Sequence, residues 1–279
     1  MFLEILKFLI YSMLIVLISK YILVRVLRKL GELLELKPKV IGNIAGIATS
    51  IPELLTVSFS ALAGLIETSA YNIISSNVIN LVQYSISVTL NKNKNAVKNK
   101  AIKIDLSLVI ITIIIPILMM IFGIEDSLTL VPIFIILMIL FYRITSNCHK
   151  LYIKEKKVEE EKKSSIKIKD KAKKHTRVAL YGVILILVGV ALFLIGNLLS
   201  DVLENLCLTF NVPEFVIGIL LGFITSLPEL ITFFESQRHH SSEQEGIVEA
   251  TSNLLTSNIM NLFVIQSLGI IIYSVVSSG

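Results

Sequence analysis

Two glutamates lie in stretches of sequence where a charged side chain is expensive. Glu53 sits in the apolar run 40–63 and Glu229 in the run 215–235. A carboxylate at the centre of a membrane-length helix costs roughly 2.5–3.5 kcal/mol even on lenient insertion scales. Thr49 is four residues before Glu53 and Ser50 three before it, so helical geometry places all three on one face; Thr225, Ser226 and Glu229 repeat the spacing. Pro52 and Pro228 lack an N–H and clash with the carbonyl four residues back, which frees the oxygens of Ala48 and Ile224. Gly46 and Gly222 thin the same faces and admit a neighbouring helix. On the apolar segments that follow, Ser76 and Asn80 are about one turn apart, as are Ser257 and Asn261. Carboxylate, amide, hydroxyl and carbonyl oxygens are a hard donor set, suited to calcium with roughly six to eight ligands and to sodium with fewer. No Lys or Arg lies in the apolar part of a neighbouring run, so a bound cation is the natural counter-charge, and two carboxylates offset one divalent ion. Asn72, Asn77, Asn253 and Asn258 are suited as well to helix–helix hydrogen bonding as to ligation.

The pattern occurs twice because the chain contains a repeat. Residues 40–56, VIGNIAGIATSIPELLT, align without a gap onto 216–232, VIGILLGFITSLPELIT, sharing Val40, Ile41, Gly42, Gly46, Thr49, Ser50, Pro52, Glu53, Leu54 and Thr56. A second pair follows, NIISSNVINL at 72–81 and NLLTSNIMNL at 253–262, and the longer stretch 237–245 absorbs the change in offset. Each unit covers two consecutive helices. The second and seventh helices are five crossings apart, an odd number, so the two copies are expected upside down relative to each other. Inverted repeats with a site at their midplane interface are the architecture of many secondary transporters.

The positioning elements are legible from composition. Of 279 residues, 54% are hydrophobic and only 17% charged, with a mean hydropathy of +0.80; a soluble domain carries about a quarter charged residues. Eight apolar runs are long enough to cross a bilayer, which takes roughly 20 residues each, at about 5–24, 40–63, 70–90, 105–123, 128–146, 178–198, 215–235 and 247–275. The fourth and fifth, separated only by 124–127, form a tight hairpin. If all eight span, every Lys and Arg except Lys7 falls on one side, while the opposite loops hold acids only: Glu67, Glu125, Asp126, Asp201, Glu204 and Glu214. The positive-inside rule then puts the N-terminus outside. The fold class expected is an all-α polytopic membrane protein of two inverted repeats and about eight transmembrane helices. Residues 1–147 form the first repeat with five helices, 148–177 a basic cytoplasmic loop, and 178–279 the second repeat with three helices. The cell membrane, crossed many times, is the expected location.

Other functions are poorly served. The net charge of +5 is spread over loops on one side, which fits lipid rather than nucleic acid. The stretch 150–174 mixes Lys and Glu as a solvated linker. Cys148 and Cys207 offer no disulfide framework. His239 and His240 beside Glu243 and Glu245 read as a solvated loop, and no helix offers H-E-x-x-H or a Ser/His pair, so neither an enzyme nor a cofactor is expected. There is no G-x-x-x-x-G-K-[ST] loop for ATP, which leaves an ion gradient as the drive.

G-x-x-T-S-x-P-E followed by N-x-x-[ST]-S-N-x-x-N, twice in inverted halves, resembles the alpha repeats of the sodium/calcium exchanger family within the cation/calcium exchanger superfamily. The resemblance implies an antiporter that exchanges calcium for a monovalent cation, sodium ahead of protons. It implies that Glu53 and Glu229 bind calcium directly, that Asn80 and Asn261 stand at the centre, and that Thr49, Ser50, Ser76, Thr225, Ser226 and Ser257 serve flanking sodium sites. Three departures stand out. The family has glycines where this chain has Tyr71, Ser75, Ser252 and Thr256, which predicts a looser helix contact there. Some sodium-coupled members carry Asp at the position of Asn261. The family has five helices per half, and here the second half stops after three: the last pair is dispensable, or a partner subunit, such as a second copy in a homo-oligomer, replaces it, or the chain is incomplete. A proton-coupled antiporter, a channel on the same site and a non-transporting homologue lacking the last helices are the alternatives.

Overall fold

The structure, a computed structural model, describes residues 1–34, 36–156, 171–239 and 243–278. Much of the basic stretch 150–174 and part of the loop with His240 lie outside the described residues. The described residues are helical, without strands, and contain eight helices long and apolar enough to span a membrane. They run Phe2–Leu23, Pro38–Leu62, Ile66–Leu90, Lys100–Phe122, Leu130–Cys148, Leu180–Thr209, Glu214–Arg238 and Glu243–Ser278, and are called the first to eighth spans.

Boundaries depart from the apolar runs for local reasons. The sixth span continues to Thr209 rather than ending near 198, because Leu199, Val202, Leu203, Leu206 and Cys207 keep a buried stripe at helical spacing while Asp201 and Glu204 face outward. The third span starts at Ile66, where the Glu214 carboxylate accepts the Thr68 backbone N–H at 2.9 Å and satisfies a first-turn donor. The fourth starts at Lys100 because the Asn99 side chain accepts the Ala101 N–H at 2.9 Å. Between the fourth and fifth, Gly123 at φ +61° takes the left-handed turn that closes the helix, with the Ile124 N–H returning to Met119 O.

Two apolar cores flank a polar seam. One gathers Tyr84, Leu108, Val109, Phe134, Phe141 and Phe263 from the third, fourth, fifth and eighth spans. The other gathers Phe8, Ile15, Leu192, Leu199 and Leu221 from the first, sixth and seventh. Between them the second, third, seventh and eighth spans bury hydroxyls, amides and carboxylates. The outer faces expose large apolar side chains such as Ile121, Phe122, Ile136, Ile186 and Leu187, the surface that hydrocarbon covers.

Candidate ion-binding site

The second and seventh spans are each broken in the middle. The second consists of Pro38–Thr49 and Ile51–Leu62, joined at Ser50 with φ −82° and ψ 0°; the seventh of Glu214–Thr225 and Leu227–His239, joined at Ser226 with φ −79° and ψ −1°. The prolines do more than free one carbonyl. Pro52 and Pro228 occupy the second position of a new helix, where a missing N–H costs nothing and the fixed φ suits helix entry. Glu53 and Glu229 therefore stand in a first helical turn, where the partial positive charge of the helix end favours a carboxylate. The preceding halves end there with carbonyls, the arrangement by which broken transporter helices meet cations.

The close helix contacts also come in pairs. A Cβ added to Gly46 would sit 2.6 Å from Asn253 O and 2.9 Å from Thr256 Cβ; one on Gly42 would meet Glu249 O and lie 2.9 Å from Ser252 Cβ. In the other half, one on Gly222 would meet the Ser75 hydroxyl and lie 2.7 Å from Asn72 O, and one on Gly218 would lie 2.6 Å from Thr68 O and Tyr71 Cβ. These are matching positions of the two sequence repeats. They also correct the expectation of a looser contact: Tyr71, Ser75, Ser252 and Thr256, which replace the family's glycines, are each received by a glycine on the facing helix, so the backbones stay in contact. The same pairing recurs in the hydrogen bonds, with Asn72 Nδ2 donating to Thr56 Oγ1 at 2.6 Å and Asn253 Nδ2 to Thr232 Oγ1 at 2.7 Å. Each threonine in turn donates to the carbonyl of its glutamate, Thr56 to Glu53 at 3.1 Å and Thr232 to Glu229 at 2.9 Å.

Thr49, Ser50, Glu53, Ser76, Asn80, Thr225, Ser226, Glu229, Ser257 and Asn261 are brought into this seam, all at most 1% exposed. Ser50 and Ser257 share a hydrogen between hydroxyls 3.0 Å apart, and Ser257 also reaches Glu229 Oε1 at 3.3 Å. Asn80 Nδ2 contacts the Ser257 hydroxyl at 3.3 Å. The Ser76 hydroxyl donates to Asn72 Oδ1 at 3.3 Å, that of Thr225 to Leu221 O at 2.9 Å and that of Thr49 to Gly46 O at 3.3 Å. Asn261 falls in a π-helical stretch, Met260–Ile265, a local widening that often marks functional positions. Six buried oxygens here have no hydrogen-bond donor: Glu53 Oε1 and Oε2, Glu229 Oε2, Asn80 Oδ1, Asn261 Oδ1 and Ser226 Oγ. Among the described residues, no lysine or arginine pairs with Glu53 or Glu229; Lys7 pairs with Glu4, at the start of the first span.

Sequence comparison places this architecture. The profile of the family described as sodium/calcium exchanger protein matches residues 5–145 and 180–278. The chain belongs to the sodium/calcium exchanger family. Solved structures agree in fold. The sodium-calcium exchanger NCX_Mj soaked with 10 mM Na+ and zero Ca2+ superposes with a TM-score of 0.52 at 22% identity, over 98% of this chain and 84% of that one. The same protein with 2.5 mM Na+ and 10 mM Sr2+ gives 0.51 at 23%, over 97% and 83%. An H+/Ca2+ exchanger, CAX, gives 0.60 at 13%, over 99% and 68%. No curated protein matches the chain in sequence.

Asn77 and Asn258, left open by the sequence between ligation and packing, are buried and accept hydrogen bonds from Asn261 and Asn80. Their place in the repeated S-N-x-x-N motif was the available signal, but an asparagine on a helix face reads equally well as ordinary packing.

Proposed function

We propose that this member of the family is a secondary active antiporter that exchanges calcium for sodium, with Glu53 and Glu229 as the calcium ligands and Asn80 and Asn261 beside them. The observation that carries this reading is the set of six buried oxygens without a donor, contributed by two helix breaks and the two helices facing them. Buried carboxylates left without a donor or counter-charge are strongly disfavoured. A bound cation supplies that charge, and roughly six to eight oxygens is a calcium coordination number. Thr49, Ser50 and Ser76, with Thr225, Ser226 and Ser257, supply the flanking hydroxyls for sodium. The two halves are read as inverted repeats, a relation supported by the paired contacts of Gly46 and Gly222.

Proton coupling is the second reading, favoured by the same two carboxylates, each of which accepts one proton. Charge decides what either cycle does with a membrane potential. The empty site carries about two negative charges, so one calcium, two sodium ions or two protons neutralise it, and a third sodium would leave an excess positive charge in low dielectric. A potential of 100 mV is worth roughly 2.3 kcal/mol per elementary charge. Two-for-one exchange cancels that term. Calcium uptake into proteoliposomes, opposed in turn by sodium, potassium and proton gradients, is expected to follow the sodium gradient and to be insensitive to an imposed potential. Uptake driven only by protons would select the second reading. Strong acceleration by a potential, with sodium as sole counter-ion, would overturn the charge argument. Uptake indifferent to every counter-ion would reveal a channel.

The orientation has its own test. With Cys148 and Cys207 replaced, Ser127→Cys is expected to react with an impermeant thiol reagent from outside and Asn95→Cys only after permeabilisation. Ser127 lies in the turn after the fourth span and Asn95 in the connection before it, at opposite ends of that helix. The reverse labelling would invert the topology.

A further inference from the structure

Between the third and eighth spans, four buried asparagines form a crossed lattice. Asn261 Nδ2 donates to Asn77 Oδ1 at 3.1 Å, and Asn80 Nδ2 to Asn258 Oδ1 at 3.2 Å. The second asparagine of each pair is itself fixed from behind. Asn258 Nδ2 donates to Asn77 O at 3.3 Å, and Asn77 Nδ2 to Thr112 O in the fourth span at 3.2 Å. Pro116 lies inside that span, four residues after Thr112, and has no N–H to give the Thr112 carbonyl. A carbonyl only accepts, so the amide nitrogen of Asn77 must face Thr112 and its oxygen must face Asn261. The oxygen in turn requires a donor, so Asn261 spends its NH2 on Asn77 and its Oδ1 remains without a donor, as does Oδ1 of Asn80.

We infer that Asn77 and Asn258 are positioning residues that polarise the two central amides, nitrogen outward and oxygen toward the ion, and that the Pro116–Thr112–Asn77 relay specifies asparagine rather than aspartate at 261. The inference rests on the proposed cation site. An aspartate at 261 presents oxygen to the oxygen of Asn77, which cannot turn while Thr112 holds its nitrogen. Pro116→Ala restores an N–H for the Thr112 carbonyl and releases Asn77 to turn and donate to Asp at 261; Asn77→Ser removes the opposing oxygen outright.

Purified full-length protein in detergent tests this with two readouts. In ion-free buffer containing a chelator, Asn261→Asp is expected to lower the melting temperature, and adding Pro116→Ala is expected to raise it by more than Pro116→Ala raises that of the unmutated protein. In calcium titrations, Asn261→Asp alone is expected to bind calcium no more tightly than the unmutated protein. Combined with Pro116→Ala or with Asn77→Ser it is expected to bind at least about tenfold more tightly, because a third carboxylate then faces the ion. The same effect of Asn261→Asp in all three backgrounds, on both readouts, would show that Asn77 packs without orienting anything. If the unmutated protein binds no calcium, the proposed function falls, while the ion-free melting cycle still accepts or rejects the relay.

Discussion

Glu53→Gln and Glu229→Gln are each expected to reduce calcium flux by roughly 10²–10³-fold while leaving the protein folded. Glutamine has nearly the shape of glutamate, so the broken helices keep their packing; what is lost is one of two charges facing a divalent ion. Removing one partner of a buried charge pair costs about 3–5 kcal/mol, and each 1.36 kcal/mol is a factor of about ten. Both side chains are fully buried, so water does not make up the loss. Stability separates this from misfolding. Without ions the variants are expected to melt at or above the temperature of the unmutated protein, because each removes a buried charge without a counter-ion. Calcium, which stabilises a protein it binds by about 2.7 kcal/mol at a hundred times its dissociation constant, is expected to raise the melting temperature of the unmutated protein only. Near-normal flux in both variants would sink the site.

How much of this was visible beforehand depends on the range of the interaction. The eight spans were legible because crossing hydrocarbon imposes a length and an apolar content on each segment separately. The convergence of Thr49, Ser50 and Glu53 with Ser257 and Asn261 was legible only through the repeat, which said that distant residues with the same neighbours do the same work. The sequence reading stopped where two helices decide an outcome jointly. Tyr71 and Thr256 look like losses of a small residue until Gly218 and Gly46 are seen opposite them. Nothing within the sixth apolar run shows that Asp201 and Glu204 sit on the outward face of a continuing helix, because the stripe behind them is defined by packing with the first and seventh spans. The prolines announced a disturbance but not its kind: a kinked helix and two helices meeting at Ser50 have the same local sequence. The direction in which Asn77 points depends on a carbonyl in the fourth span, 35 residues away.

The glycines that face substituted positions give the second large effect. Gly46→Ala is expected to abolish calcium flux and to lower the melting temperature markedly, since overpacking of well-filled contacts costs typically 1–3 kcal/mol and occasionally more. The atoms in the way are backbone and Cβ: Asn253 O at 2.6 Å, Thr256 Cβ at 2.9 Å and Ser257 N at 3.0 Å from the added carbon. None of these moves by turning a side chain, so the eighth span itself must shift, and it carries Ser257 and Asn261. Gly222→Ala differs in a telling way. Its nearest obstacle is the Ser75 hydroxyl, which rotates, but Asn72 O at 2.7 Å and Ser76 N at 2.9 Å remain. Ser75→Gly, the residue the family places there, is therefore expected to rescue Gly222→Ala in part and to do nothing for Gly46→Ala. Gly182→Ala and Gly189→Ala in the sixth span are the controls, because an added Cβ there meets nothing within 4 Å; alanine gains up to about 1 kcal/mol of helix propensity over glycine. The comparison is read as melting temperature and flux in the same membranes. Should Gly46→Ala and Gly222→Ala prove as benign as Gly182→Ala, the second and eighth spans, and the seventh and third, do not meet backbone to backbone, and the site geometry built on those contacts has to be redrawn.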